Sequence, residues 1–167
     1  MIDAVLDASA LLALLRNEPG AERVKSVLRN SAMTTINYGE VVGFYARRGA
    51  SEVEIRRLLH PLPTERIAFD EELAYVVGLM LPQTSSAGLS LGDRACLGLA
   101  GRLGVIALTA DRSWSRIARA VGVTVEAIRC PPDNRCHRRK AAMTSRAPSM
   151  PSKAPGHRIG RSSPASR

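Results

Sequence analysis

A parallel α/β fold is predicted by three features of the sequence. Short aliphatic runs alternate with segments of helical period along most of the chain. The runs are apolar on both faces, as strands in a sheet covered on two sides must be. Acidic residues such as Asp7 and Asp111 fall just beyond two of these runs, where the open ends of parallel strands gather ligands.

The first element, Ile2 to Asp7, reads as a short buried strand, and Ala8 to Leu15 is a helix apolar on every side. Pro19 suits a first helical turn, and Val24, Val27 and Leu28 then recur at helical spacing until Asn30 and Ser31 break the pattern. Met33 to Thr35 is the second strand. A helix from Asn37 carries Val41, Phe44 and Tyr45 on one side and ends at Gly49. Ser51 and Glu54 have the spacing of a capping box for a helix bearing Ile55, Leu58 and Leu59.

Arg66 to Phe69 forms the third strand, and Asp70 caps a helix with Leu73, Val76, Val77 and Met80 in period until Pro82 stops it. Gln83 to Gly88 is a polar loop. A helix from about Gly92 to Leu103 aligns Cys96, Leu99, Ala100 and Leu103, and Val105 to Thr109 is the fourth strand. Asp111 caps a short helix holding Ile117 and Val121, and Val123 to Val125 closes the sheet as a fifth strand. Beyond Cys130 the pattern dissolves into Pro, Ser, Arg and Ala, so residues 1–130 are expected to form one domain and 131–167 a disordered basic tail.

The chain has 167 residues and is 45% hydrophobic, which is enough for one ordinary core. Aromatic residues make up only 4%, so a nucleic acid would be held mainly through its phosphates. The formal charge of +9 lies almost wholly in the tail: residues 131–167 carry nine basic residues and one acid. The folded part must therefore be judged on local patches. Cys96, Cys130 and Cys136 are an odd set with no zinc spacing and read as reduced thiols. The first fifteen residues hold Asp3 and Asp7 and no basic residue, and no apolar run approaches the roughly 20 residues that span a bilayer. A soluble cytoplasmic protein is expected.

Four acids, Asp7, Glu40, Asp93 and Asp111, stand at strand ends or on helix faces that are otherwise apolar. Capping of a helix start explains Asp7, Asp93 and Asp111 taken singly. It does not explain Glu40, which lies inside a helix beside Val41 and should turn inward. Carboxylates about 4 Å apart repel by roughly 4 kcal/mol at an effective dielectric near 20, so a converging set needs protons or cations. Hard oxygen ligands without His or Cys suit Mg²⁺ or Mn²⁺, and such an ion can lower the pKa of a bound water and orient it toward a phosphodiester. Ser9 and Thr109 are hydroxyls placed to support the acids, and Arg94 and Arg112, each following an acid, are weaker candidates to guide a phosphate.

The segments Val5 to Leu11, Asn37 to Val41, Leu89 to Arg94 and Leu108 to Trp114 resemble, in order and spacing, those of the PIN-domain ribonucleases, and more narrowly the VapC toxins of bacterial toxin–antitoxin pairs. The resemblance runs from about residue 2 to residue 128. It implies a PIN-like fold and metal-ligating acids at Asp7, Glu40, Asp93 and Asp111, with Thr109 as a polar neighbour. It further implies a Mg²⁺-dependent endoribonuclease that acts on RNA, dimerises, and is silenced by a VapB-type antitoxin. A dehalogenase-type phosphatase is disfavoured because it needs a second Asp where Ser9 stands. A phosphate-receiver domain is disfavoured because the only lysines are Lys25, Lys140 and Lys153. The remaining alternative is a catalytically inactive PIN-like module that binds RNA or protein.

Overall fold

The computed structural model describes residues 1–129. The tail expected beyond residue 130, with Cys130 and Cys136, lies outside them. Among the described residues a five-stranded, wholly parallel sheet has the order β3-β2-β1-β4-β5. The strands are β1 (Ala4–Leu6), β2 (Ser31–Thr34), β3 (Glu65–Ile67), β4 (Ile106–Thr109) and β5 (Val125–Ala127). The helices are α1 (Ala8–Leu15), α2 (Ala21–Val27), α3 (Thr35–Ala46), α4 (Glu52–Leu59), α5 (Glu71–Leu79), α6 (Leu81–Thr84) and α7 (Leu91–Leu103).

The central strand shows why the sheet is covered on both sides. Its side chains alternate with a period of two. Ala4 and Leu6 join an apolar layer with Leu11, Val24, Met33, Val41, Ile55, Leu59 and Leu108. Val5 joins the opposite layer with Leu73, Val77, Cys96, Leu97, Leu99 and Trp114. Helices α1 to α4 therefore cover one face, and α5 and α7 the other. Each fully buried Leu contributes about 1.5–3 kcal/mol. Leu6 and Leu108 are wholly buried on neighbouring strands, so the core, rather than any polar contact, anchors the two strands that lead to Asp7 and Asp111.

Chain order reverses beside β1: the path runs outward through β2 and β3, then returns to β4 on the other flank. The cleft of such a sheet lies beyond the carboxyl ends at that reversal. Asp7 and Thr109 end β1 and β4 there.

Several boundaries differ from those expected. Pro19 precedes α2 rather than entering it, because Gly20 caps the helix at φ +98°, a left-handed conformation. A Cβ at Gly20 would also stand 2.7 Å from the Ile128 carbonyl. Strand β2 starts earlier and α3 begins at Thr35, because the Thr34 hydroxyl accepts the Asn37 N–H and starts the helix directly from the strand. Strand β3 starts one residue and ends two residues earlier than expected, and β5 follows Val123 instead of containing it, since Val123 is drawn into the second core layer. The expected polar loop from Gln83 to Gly88 contains the end of α6 and a 3₁₀ turn, Ser85–Ala87. Pro82 stands in the first turn of α6, where a missing N–H costs nothing. The Ser51–Glu54 capping box and the Asp70 cap stand as expected.

Candidate active site

Asp7 follows the last core residue of β1. Its backbone N–H continues the ladder to the Leu108 carbonyl at 2.9 Å, and its carboxylate caps α1 by accepting the Ser9 N–H at 3.2 Å. The side chain is only 5% exposed. Its Oδ2 also accepts the Ser9 hydroxyl and, at 3.1 Å, the Thr109 hydroxyl. Its Oδ1 accepts from the Asn37 amide at 3.2 Å. All these donors are neutral. Burial raises the Asp7 pKa, the Ser9 and Thr109 hydrogen bonds oppose the rise, and the neighbouring charge of Asp93 adds to it.

Asn37 organises the second acid as well. It is fully buried at the start of α3, with its Oδ1 accepting the Thr34 hydroxyl at 2.7 Å. Its Nδ2 faces three acceptors: Asp7, Glu40 Oε2 at 3.2 Å, and the Gly92 carbonyl at 3.0 Å. Glu40 lies three residues on, and residues so spaced share a helix face. The Glu40 carboxylate points toward the cleft, yet the residue stays open to solvent, so the expected inward turn is one of direction and not of deep burial. Partial desolvation raises its pKa first, and the Asp7 and Asp93 charges add to that. A Cβ on Gly92 would stand 2.6 Å from Glu40 Cδ, so the glycine leaves the space that the carboxylate fills.

Asp93 is the third residue of α7. It completes a capping box in which the Ser90 hydroxyl accepts the Asp93 N–H and the Asp93 carboxylate accepts the Ser90 N–H at 2.7 Å. Ser90, and not Asp93, is the cap. Asp7, Glu40 and Asp93 line one cleft of about 380 Å³ with Ala8, Ser9, Leu12, Gly43, Phe44 and Arg47. Behind it, Cys96 is fully buried, and its thiol pKa is pushed well up by burial and then by the three acids. That keeps it a neutral core residue.

Asp111 does not line this cleft. It is exposed and caps the 3₁₀ turn Arg112–Arg116 by accepting the Ser113 N–H at 2.7 Å. Its link to the other acids runs through Thr109, whose hydroxyl oxygen accepts the Asp111 N–H at 3.1 Å while its proton goes to Asp7. Ser9 makes a parallel link, accepting the Ala110 N–H at 2.9 Å. The two hydroxyls thus tie the ends of β1 and β4 together around Asp7.

Arg94 and Arg112 lie off the cleft lining. Arg94 donates to the Leu89 carbonyl at 2.7 Å and Arg112 to the Arg129 carbonyl at 3.1 Å, so both are engaged in holding nearby backbone. Two residues absent from the candidates read off the sequence belong to the site: Asn37, which bridges two acids, and Arg47, which lines the cleft. Their positions three before and seven after Glu40 put them on its helix face, a signal visible once α3 is assigned.

In the observed side-chain positions, no three Asp, Glu, His or Cys groups among the described residues converge as a ligand set. The chemistry of the donors nevertheless fits a hard divalent ion. Three carboxylates face one cleft with only neutral donors beside them, and the Gly92 space lets Glu40 approach α7. Asp111 would have to leave its cap to join them.

The PIN domain family model matches residues 4–120. Three solved complexes share the fold. VapBC from Salmonella typhimurium bound to DNA is 20% identical with a TM-score of 0.57, covering 75% of this chain and 98% of that one. VapBC-1 from nontypeable Haemophilus influenzae is 22% identical with a TM-score of 0.56, covering 77% and 98%. VapBC2 from Rickettsia felis bound to a promoter DNA fragment is 16% identical with a TM-score of 0.56, covering 75% and 98%. No curated protein matches the sequence.

Proposed function

We propose, from the premise that this chain belongs to the PIN domain family, that it is a metal-dependent endoribonuclease of the VapC toxin type. The observation that carries the reading is the cleft at the strand reversal, where Asp7, Glu40 and Asp93 meet and, among the described residues, no guanidinium is hydrogen-bonded or ion-paired to any of them. A purely structural cluster would lower its own energy by pairing those charges. This one keeps them for a cation.

Asp7, Glu40 and Asp93 are the residues that would hold Mg²⁺ or Mn²⁺, with Asp111 as a fourth acid recruited from its cap. When bound, the ion supplies charge neutralisation at the phosphodiester and a water acidified for attack. The chain's own residues supply orientation. Ser9 and Thr109 fix one oxygen of Asp7 by donating to it, and Asn37 fixes the other while holding Glu40. With Asp7 locked by three side-chain donors and a backbone N–H, little reorganisation remains when the ion arrives.

The partners follow from the same reading: an RNA substrate, a VapB-type antitoxin that silences the toxin, and a second copy forming a homodimer. The solved VapBC complexes support the antitoxin by likeness of fold. A cytoplasmic site of action accords with an RNA substrate, and no helix among the described residues is long and apolar enough to cross a membrane.

One observation favours a second reading, a binding module without turnover: Asp111 is turned away to its cap. A single experiment separates the two. Purified full-length protein and Asp7→Asn are incubated with total cellular RNA in Mg²⁺ or EDTA. Discrete fragments that need both the ion and Asp7 support the nuclease. Intact RNA with folded wild type, across Mg²⁺ and Mn²⁺, sinks it in favour of the binding module.

A further inference from the structure

An acidic cleft that cuts RNA faces an approach problem, because its own charge repels the polyanion it must admit. A cation at the mouth solves it if that cation is not already committed. Among the described residues lining the cleft, Arg47 is the only basic one, and its guanidinium makes no hydrogen bond or ion pair with them. It is also exposed. Most other arginines near the sheet ends are engaged: Arg94 and Arg112 hold backbone carbonyls, and Arg102 holds Asp70 at 2.7 Å.

The face of α3 that carries Arg47 has a consistent order. Glu40, Gly43, Phe44 and Arg47 are spaced i, i+3, i+4 and i+7, so they form one stripe, and all four line the cleft. Seven residues of helix rise about 10 Å, so the backbone of Arg47 stands that far along the axis from that of Glu40. Gly43 adds an independent sign. Its Cβ would meet nothing within 4 Å, so packing does not demand a glycine, although glycine costs a helix stability. Its effect is to keep the stripe low between acid and cation.

Phe44 is the hub of the stripe. The Arg48 guanidinium lies 3.5 Å from its ring centroid and donates to the Phe44 carbonyl at 3.0 Å, and Arg16 approaches the same ring at 5.2 Å. Two guanidiniums are thereby held at the ring of Phe44, three residues before Arg47 on the same stripe. Planar guanidinium and aromatic groups are the surfaces on which unstacked RNA bases rest.

We infer that this stripe, Glu40 to Arg47 with Arg16 and Arg48 around Phe44, is the track on which single-stranded RNA lies, Arg47 holding a phosphate beside the one to be cut. The inference rests on the nuclease reading and names how its substrate is positioned. Arg47 is a positioning residue for substrate, and Phe44 with its two arginines is the surface for a neighbouring base.

The test uses full-length wild type, Arg47→Gln, Arg47→Lys and Arg29→Gln. Arg29 is exposed and precedes β2, at the sheet end opposite the cleft, so it is the control. The probe is a short fluorescent single-stranded RNA of mixed sequence, titrated in EDTA over a salt series and then cleaved in Mg²⁺. Expected for Arg47→Gln is a salt slope shallower by about 0.7, the loss of one single-strand phosphate contact. KM should rise roughly tenfold with kcat within about twofold, the pattern of lost uniform binding. Arg47→Lys should restore most of both, and Arg29→Gln should match wild type. Thermal melts of all four should coincide. If wild type cleaves and Arg47→Gln keeps the same slope and KM, the track is wrong while the nuclease stands. If wild type neither binds nor cleaves this RNA, the nuclease reading fails and takes the track with it.

Discussion

Three acids at the cleft and four acids on the flanks of the same sheet are held in opposite ways. On the flanks, Glu126 takes both Nε and Nη2 of Arg23, Asp70 takes Arg102 on both oxygens, Glu18 takes Arg16, and Glu52 takes Arg56. In the cleft, Asp7, Glu40 and Asp93 have hydroxyls, an amide and backbone N–H groups. An arginine was at hand, since Arg47 lines the same cleft. What marks the cleft is that three acids held by neutral partners share it, since such partners orient a carboxylate without cancelling its charge; Glu54, held by Ser51, stands alone. Burial raises the pKa values of Asp7 and Glu40 and the neighbouring acid charges add to the rise, while the neutral donors oppose it without a cation to cancel it.

The largest effect should come from removing a cleft charge. On the nuclease reading, Asp7→Asn is expected to lower RNA cleavage by at least about 100-fold, because a proposed metal ligand and its charge would be lost together. In the absence of divalent ions the same variant should melt no lower than wild type, and roughly 2–4 °C higher per kcal/mol of relieved strain. Parallel cleavage assays and EDTA melts measure both. A variant that melts far lower would show Asp7 to be a structural cap first.

Next is the neutral bridge. Asn37→Ala leaves Asp7 short of a donor and frees Glu40, so it should cost about 1–3 kcal/mol in denaturant unfolding and weaken Mn²⁺ binding measured calorimetrically. Gly92→Ala comes third. The added Cβ displaces the flexible end of Glu40, so Mn²⁺ affinity should fall while stability changes by no more than about 1 kcal/mol.

The pH dependence has a definite sign. For a carboxyl whose folded pKa is raised, the folded state binds the proton more tightly than the unfolded one. Its stabilising contribution is present below the unfolded value and is lost as pH rises through the folded value. Metal-free protein should therefore lose the Asp7 and Glu40 contributions on going from about pH 4 toward neutrality, and Mn²⁺ should restore stability at pH 7. Melts in EDTA and in Mn²⁺ across that range would check it; equal melts in both media would remove the cation from the account. The smallest effect is expected on the flank: Arg102→Ala breaks an exposed pair, should cost no more than about 1 kcal/mol, and should leave cleavage unchanged.

Much of the fold and part of the site are legible in the amino-acid sequence. The strand-to-helix alternation, the Ser51 and Asp70 caps, and the positions of Asp7, Glu40 and Asp93 all follow from local pattern, because period and capping are properties of neighbouring residues. Holding a helix start and a place in the site are compatible roles, since Asp7 caps α1, Asp93 returns the capping box to the Ser90 N–H, and both line the cleft. Asn37 is invisible to local pattern because its weight comes from Asp7 and Gly92, which are 30 and 55 residues away. Arg94 and Arg112 stand next to an acid in sequence, yet an arginine side chain reaches away from its sequence neighbour, and theirs reach backbone.

By itself the sequence determined the element types outside the Leu81–Ala87 segment, the two-sided apolar layers and which strand ends bear acids, for these depend on residues within one or two turns of each other. Only the tertiary structure decided that Asp7, Glu40 and Asp93 share a cleft while Asp111 stays at its cap, and that Arg47 rather than Arg94 or Arg112 stands at the mouth. Those outcomes depend on strand order and on where long side chains find partners. Such partners are distant in sequence, and the packed core sets their distances.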